Sequence, residues 1–138
     1  MSYTVESMDE GAIILTTMGA DYDVTDDMLA SSDETFALLE SGPTRIVMIT
    51  DARLLKVNSL EDILMGGKTI NDPRIQRTMH HPKLIKSLSV INSKLLQLAV
   101  KGLNSASFGH TDIPIYESPE DAFNVARKLL YGKASTAG

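Results

Sequence analysis

Ser59 is the residue whose type and position most directly suggest a regulated chemical group. It follows an apolar run at residues 45–50 and a polar loop, and it opens a segment that continues Leu60-Glu61-Asp62. A serine hydroxyl there can cap a helix by accepting a hydrogen bond from a nearby backbone N–H, which contributes about 1 kcal/mol. The same position can carry a phosphoryl group near the positive end of the helix dipole. We interpret Ser59 as a helix cap, with a phosphoacceptor as the alternative.

The three histidines do not form a metal-binding pattern. His80 and His81 are neighbours, and adjacent side chains point about 100° apart on a helix or to opposite faces of a strand, so they seldom bind one ion. We interpret both as surface residues at a helix end, and His110 lies too far along the chain to place beside them. The absence of cysteine excludes disulfides, thiolate ligands and cysteine nucleophiles. We expect neither a metal nor a cofactor.

Recognisable catalytic motifs are also missing from the sequence. Gly66-Gly67 lacks the spacing of a phosphate-binding loop and a strand before it, so we predict a helix break or hinge there. There is no GxSxG turn, and paired carboxylates such as Asp26-Asp27 project to different sides of a helix rather than across a cleft. We predict that the chain is not an enzyme, with a site assembled from distant residues as a residual alternative.

The elements that position these residues alternate between short apolar runs and amphipathic segments. Two strands joined at residues 8–11 predict a hairpin, and later strands are predicted at residues 45–50, 84–92 and 113–118, with helices between them. This order predicts one α/β domain over residues 1–132. Its mixed sheet would have about five strands, an N-terminal antiparallel hairpin, parallel crossovers and about four helices. Residues 133–138 are predicted to be a disordered tail.

Capping residues predict where three of the helices begin. Thr25 precedes two acidic residues that suit a first helical turn. Asp72 and Ser118 are each followed by a proline, which is favoured at the first helical position.

The composition is that of an ordinary globular chain. It has 138 residues, of which 43% are hydrophobic and 22% charged, and this length suits one hydrophobic core. No apolar run approaches the roughly 18 residues that a membrane span needs, and the first ten residues lack the pattern of a signal peptide. We expect a cytoplasmic protein without a transmembrane segment.

The charged residues are unevenly distributed along the chain, whose formal net charge is −5. Residues 1–44 contain ten Asp or Glu and no Lys or Arg, whereas residues 53–101 contain nine basic and three acidic residues. This distribution argues against general nucleic-acid binding. We interpret the two charged regions as solvent-exposed faces of the domain. The alternative is that this separation of charge orients a partner, or an anionic surface, towards one side.

Residues 60–79 form the most informative candidate surface, because apolar and basic side chains are interrupted there by glycine and proline. Methionine and glycine suit a layer that repacks over an apolar ligand or a partner, although residues of these types belong more often to a core. The residues assigned to this surface are Leu60, Ile63, Leu64, Met65, Ile75, Met79, Arg74 and Arg77.

Two stretches together resemble a known family. IVMITDARLLKVNSLEDI, at residues 46–63, resembles the strand, loop and helix start of STAS domains. The second half, which runs through LIKSLSVINSKLLQLAVKGL at residues 84–103 to DIPIYESPEDAFNVARKLL at residues 112–130, resembles the SpoIIAA-like (STAS/SEC14-like) branch. The resemblance implies a sheet with helices on one side, no catalysis, and binding of partners or apolar ligands. Ser59 stands where related antagonists carry a phosphorylated serine, although the neighbouring aspartate and glycine of that motif are replaced here.

From these observations we predict a non-catalytic STAS-like regulatory or protein-interaction domain that forms a homodimer. The alternative is a binder of a small apolar or lipid-like ligand beneath residues 60–79. An open sheet edge or an apolar helical layer would provide the twofold contact.

Overall fold

One mixed sheet organises the fold in the computed structural model, which describes residues 2–56, 60–94, 97–98 and 114–132, with residues 60–63 described by their backbone alone. The strands are β1 (Tyr3–Met8), β2 (Ile13–Met18), β3 (Ile46–Asp51), β4 (Leu84–Val90) and β5 (Ile115–Tyr116). The longer helices within the described residues are α1 (Asp26–Ser41), α2 (Leu60–Ile70), α3 (Pro73–Met79) and α4 (Pro119–Tyr131).

The strand order in the sheet follows the order in the chain, β1-β2-β3-β4-β5. Strands β1 and β2 are antiparallel, and the other neighbouring pairs are parallel. The hairpin turn is a short 3-10 segment, Asp9–Gly11, whose three residues all have positive φ, at 51°, 58° and 93°. The predicted fold, with its antiparallel hairpin, its parallel crossovers and its helices, is therefore confirmed.

Apolar side chains lie on both faces of the sheet, because successive residues of a strand point in opposite directions. Ile14 and Ile46 pack with Leu39 of helix α1 on one face. The cluster on the other face, which includes helix α4, comprises Ile13, Val47, Ile49, Leu88, Val90, Ala122 and Ala126. Helices therefore cover both faces, which differs from the one-sided arrangement that the STAS resemblance implies.

Of the three helix caps predicted at Thr25, Asp72 and Ser118, the last two are confirmed. The Asp72 carboxylate accepts a hydrogen bond from the Arg74 backbone N–H at 2.8 Å, with Pro73 at the start of α3. The Ser118 hydroxyl accepts from the Asp121 backbone N–H at 3.2 Å at the start of α4.

The prediction that Thr25 caps helix α1 is wrong, because its side chain makes no capping hydrogen bond. The carboxylate of Asp23 takes this role, accepting from the backbone N–H groups of Thr25 at 2.7 Å and of Asp26 at 2.8 Å. A carboxylate binds such N–H groups more strongly than a neutral hydroxyl does, and its charge suits the positive end of the helix.

The helix break predicted at Gly66-Gly67 is also wrong, since α2 runs through both residues. Glycine costs about 1 kcal/mol relative to alanine in a helix interior, but it retains the backbone N–H that the helix needs. The next helix starts instead at Pro73, whose ring and missing N–H do interrupt a helix.

Asp9 ties the hairpin turn to helix α4. Nε of Arg127 donates to the Asp9 carboxylate at 3.1 Å, and the Tyr131 hydroxyl donates to it at 3.2 Å. The hydrogen bond from Arg127 is the main reason that the pKa of Asp9 is lowered from its ordinary value. This contact connects the turn of the β1–β2 hairpin to helix α4.

Replacing Asp9 by asparagine is expected to lower the free energy of unfolding by about 1 kcal/mol at pH 7, because partly exposed ion pairs rarely contribute more. A folded-state pKa that is lowered stabilises the protein above the ordinary aspartate pKa, and this contribution is lost as the pH falls through the lowered value. The difference between wild type and Asp9→Asn should therefore vanish in acid. Urea unfolding at neutral and strongly acidic pH measures it, with Glu10→Gln as the control, and an undiminished difference in acid would contradict this expectation.

Candidate functional site

The two arginines of the predicted surface bind to helix α1. Arg74 donates to the Asp33 carboxylate through both Nε, at 3.3 Å, and Nη2. Arg77 donates to the same carboxylate at 3.1 Å, and its guanidinium carbon lies 4.0 Å from the centre of the Phe36 ring. The hydrogen bond from Arg74 is the main cause that lowers the pKa of Asp33. Both arginines therefore stabilise the contact between α3 and α1.

Hydroxyl groups fill the buried part of this α1–α3 contact. The Ser32 hydroxyl donates to the Thr78 hydroxyl oxygen at 2.9 Å, and the Thr78 hydroxyl lies 3.2 Å from the Ser32 carbonyl oxygen. Thr35 of α1 is buried as well, and its hydroxyl donates to the Ser31 carbonyl of the same helix at 2.9 Å. Because a buried hydroxyl without a partner costs free energy, the Ser32–Thr78 pair favours one register of α3 on α1.

His81 is buried, so the prediction of two surface histidines is wrong for this residue. Its Nδ1 accepts from the Lys83 backbone N–H at 3.1 Å, and its Nε2 lies 2.9 Å from the Glu40 carboxylate. Since Nδ1 is an acceptor, we assign the proton to Nε2, which donates to Glu40. The ring also packs edge-on against Phe36, with centroids 5.5 Å apart. His80 is exposed, as predicted.

The apolar residues predicted between positions 60 and 79 divide into two groups. Ile75 is buried and Met79 half-buried on α3, where the helix packs on α1. Leu64 and Met65 on α2 are instead 56% and 45% exposed. We call these two residues of α2 the α2 surface. Leu54, in the loop between β3 and α2, is exposed as well, at 63%.

Three residues of the predicted site cannot be compared with the structure. Ser59 lies outside the described residues, and so do the side chains of Leu60 and Ile63. Ser59 as a helix cap therefore stays a prediction, and so does its phosphorylation.

An ion pair at the carboxyl end of β3 was not found from the sequence. The buried Asp51 accepts from Nε and Nη2 of Arg53, at 3.0 Å and 2.9 Å, and from its backbone N–H at 3.1 Å. The carboxyl ends of parallel strands commonly face ligands in open α/β sheets. An Asp-x-Arg sequence directly after a buried strand was the available signal.

Three properties of the described residues bear on their chemistry. No group of three or more His, Asp or Glu residues among them is placed to hold a metal ion. Every buried side-chain nitrogen or oxygen in this part of the chain has a hydrogen-bond partner. None of the helices that the structure describes is both long enough and apolar enough to cross a membrane.

Comparison with family models, curated proteins and solved structures gives no match to this chain. The STAS resemblance rests on its motifs and on the order of its elements.

Proposed function

We propose that this chain is a cytoplasmic, non-catalytic STAS-like regulatory domain that acts by binding a protein partner, including a second copy of itself. The observation that carries the proposal is the exposure of both Leu64 and Met65 on helix α2. Large apolar side chains that are exposed together mark many protein interaction sites. Methionine adapts well to such contacts because its side chain is flexible and polarisable.

The position of α2 supports this role. The helix packs on α3 and passes close to Val24, which would lie 3.8 Å from a Cβ atom at Gly66. These contacts hold one side of the helix, while the α2 surface faces outward together with the exposed Lys68. An apolar centre with a charged residue at its margin is the usual composition of a protein interface. Two copies of α2 could pair about a twofold axis, which gives a closed dimer.

Native mass spectrometry of the freshly purified protein tests this proposal, and we expect a dimer mass. The double variant Leu64→Gln/Met65→Gln should raise the dimer dissociation constant at least about tenfold, because it removes apolar contact without changing the charge. Leu129→Gln, at an exposed leucine of α4, is the matched control and should leave the dimer unchanged. A monomer mass at every concentration, with no partner bound at α2, would reject the proposal.

A second candidate function is binding of a small apolar or lipid-like ligand beneath residues 60–79. Gly67 and Thr69 are buried on the inner side of α2, and two glycines within one helix lower its stability. Helix α2 should therefore open more easily than the strands, which would admit a ligand. A monomer that retains the mass of a fatty acid or phospholipid in the same spectrum would favour this candidate over the dimer.

A further inference from the structure

Strand β1 forms one edge of the sheet and pairs with β2 alone among the described strands. The Gly19 N–H donates to the Ser2 carbonyl at 2.7 Å, which fixes the alternation of hydrogen bonds along this antiparallel pair. Every second residue of β1 therefore directs its backbone N–H and C=O away from β2. The residues whose backbone groups point to the open edge are Tyr3, Val5 and Ser7.

Carboxylates lie on both sides of this open edge. The side chain of Val5 packs towards α1, so the neighbouring Glu6 points to the opposite face of the sheet, where it is exposed. On the α1 side, the exposed Glu34 accepts a hydrogen bond from the Tyr3 hydroxyl, and this contact is the main reason that the pKa of Tyr3 is raised to about 12. A strand added beside β1 would therefore meet negative charge on each of its faces.

The sign of the charge disfavours a second copy of this chain as the added strand. Residues 1–44 include β1, β2 and α1 and contain ten acidic residues without a single Lys or Arg. Pairing two β1 edges would bring these two acidic regions together, and like charges across an interface reduce both the rate and the strength of association. An extended segment with basic side chains would meet the opposite charge at the same edge.

We propose that the β1 edge binds an extended, lysine- or arginine-containing segment of a partner protein, which adds to the sheet as a sixth strand. The backbone of the segment pairs with the open N–H and C=O groups of β1, and its basic side chains lie near Glu6 on one face and Glu34 on the other. Main-chain hydrogen bonds supply affinity in this mode of recognition, while alternate side chains supply specificity. The α2 surface is not required, so this inference stands independently of the proposed function.

The test uses the full chain and a synthetic peptide, acetyl-TVKKTVKKT-amide, with backbone amides followed by NMR. Its neighbouring lysines point to opposite faces of an extended strand, so the peptide can meet both Glu6 and Glu34. We expect the peptide to slow hydrogen exchange at least about tenfold at Tyr3, Val5 and Ser7, whereas the intervening amides are already protected by β2. A peptide with glutamate in place of lysine should give no protection. Protection spread evenly over β1, or located only on α2, would overturn the proposal. Protection of Tyr3, Val5 and Ser7 that appears without peptide as the protein concentration rises would identify self-pairing at this edge and overturn the proposal too.

Variants separate charge from backbone pairing. Glu6→Lys should weaken peptide binding at least about tenfold, while Glu117→Lys, an equal charge change at an exposed residue beyond β5, should change it far less. Ser7→Pro removes one outward N–H at an edge position that tolerates proline. This variant should abolish the protection by the peptide at Tyr3 and Val5, whereas Ser7→Ala should not. Leu64→Gln/Met65→Gln should bind the peptide as the wild type does. An equal loss of peptide affinity in Glu6→Lys and Glu117→Lys would show that only the net charge of the protein matters, and it would overturn the proposal.

Discussion

Replacing Ile49 by alanine is expected to lower the free energy of unfolding by about 3 kcal/mol. Ile49 has no exposed surface, and its strand β3 lies between β2 and β4 at the centre of the sheet. Its neighbours in the cluster beneath α4 include Ala122 and Ala126, whose small side chains cannot extend to fill a cavity. The cost therefore combines lost burial with an unfilled space.

Urea unfolding followed by circular dichroism measures this effect. Leu129→Ala is the control, because Leu129 is 40% exposed on α4 and its truncation should cost less than about 1 kcal/mol. The urea dependence should stay the same in both variants if the native fold is retained. Equal costs for the two changes would contradict the central position that the structure gives to Ile49.

Replacing Thr78 by valine is expected to cost about 2 kcal/mol, although the shape of the side chain hardly changes. The Ser32 hydroxyl would lose its acceptor at 2.9 Å and would keep only the Arg74 carbonyl at 3.4 Å. A buried donor left without a good acceptor costs more than the average hydrogen bond contributes. The α1–α3 contact should therefore be weakened more by this change than its small size suggests.

A double-mutant cycle measures the coupling between the two hydroxyls. In the variant Ser32→Ala/Thr78→Val both partners are removed, so the combined cost should be smaller than the sum of the single changes. Thr35→Val is the control, because the Thr35 hydroxyl donates to a carbonyl of its own helix and should cost less than about 1 kcal/mol. Strictly additive costs would show that Ser32 and Thr78 do not depend on each other.

Local patterns predicted the order of strands and helices well. The apolar run of β3, the hairpin turn at Asp9–Gly11 and the proline-marked starts at Asp72 and Ser118 each depend on residues close together in the chain. The residues that decide each of these features lie within a few positions of one another. Local composition and periodicity were therefore sufficient to predict them.

The sequence did not predict contacts between residues that lie far apart in the chain. Asp33 binds two arginines of α3 that lie more than forty positions away, and His81 is buried by Glu40 and Phe36 of α1. Nothing near these residues in the sequence indicates their partners. The exposure of Leu64 and the burial of Ile75 were equally invisible, because both fit a helical apolar pattern and only the packing of α3 on α1 separates them.

The sequential order of the five strands has a consequence for how the chain folds during its synthesis. Each strand is added next to the one made just before it, so the sheet can grow in one direction from the first hairpin without waiting for a distant segment. The buried residues beneath α1, Ile14, Leu39 and Ile46, are all present once β3 has been made. Among the described helices, α4 is the one that packs on the opposite face, so Val47, Ile49, Leu88 and Val90 lack this helix until residues 119–131 have been made. Apolar surface of this kind in a nascent chain is a typical contact for a chaperone.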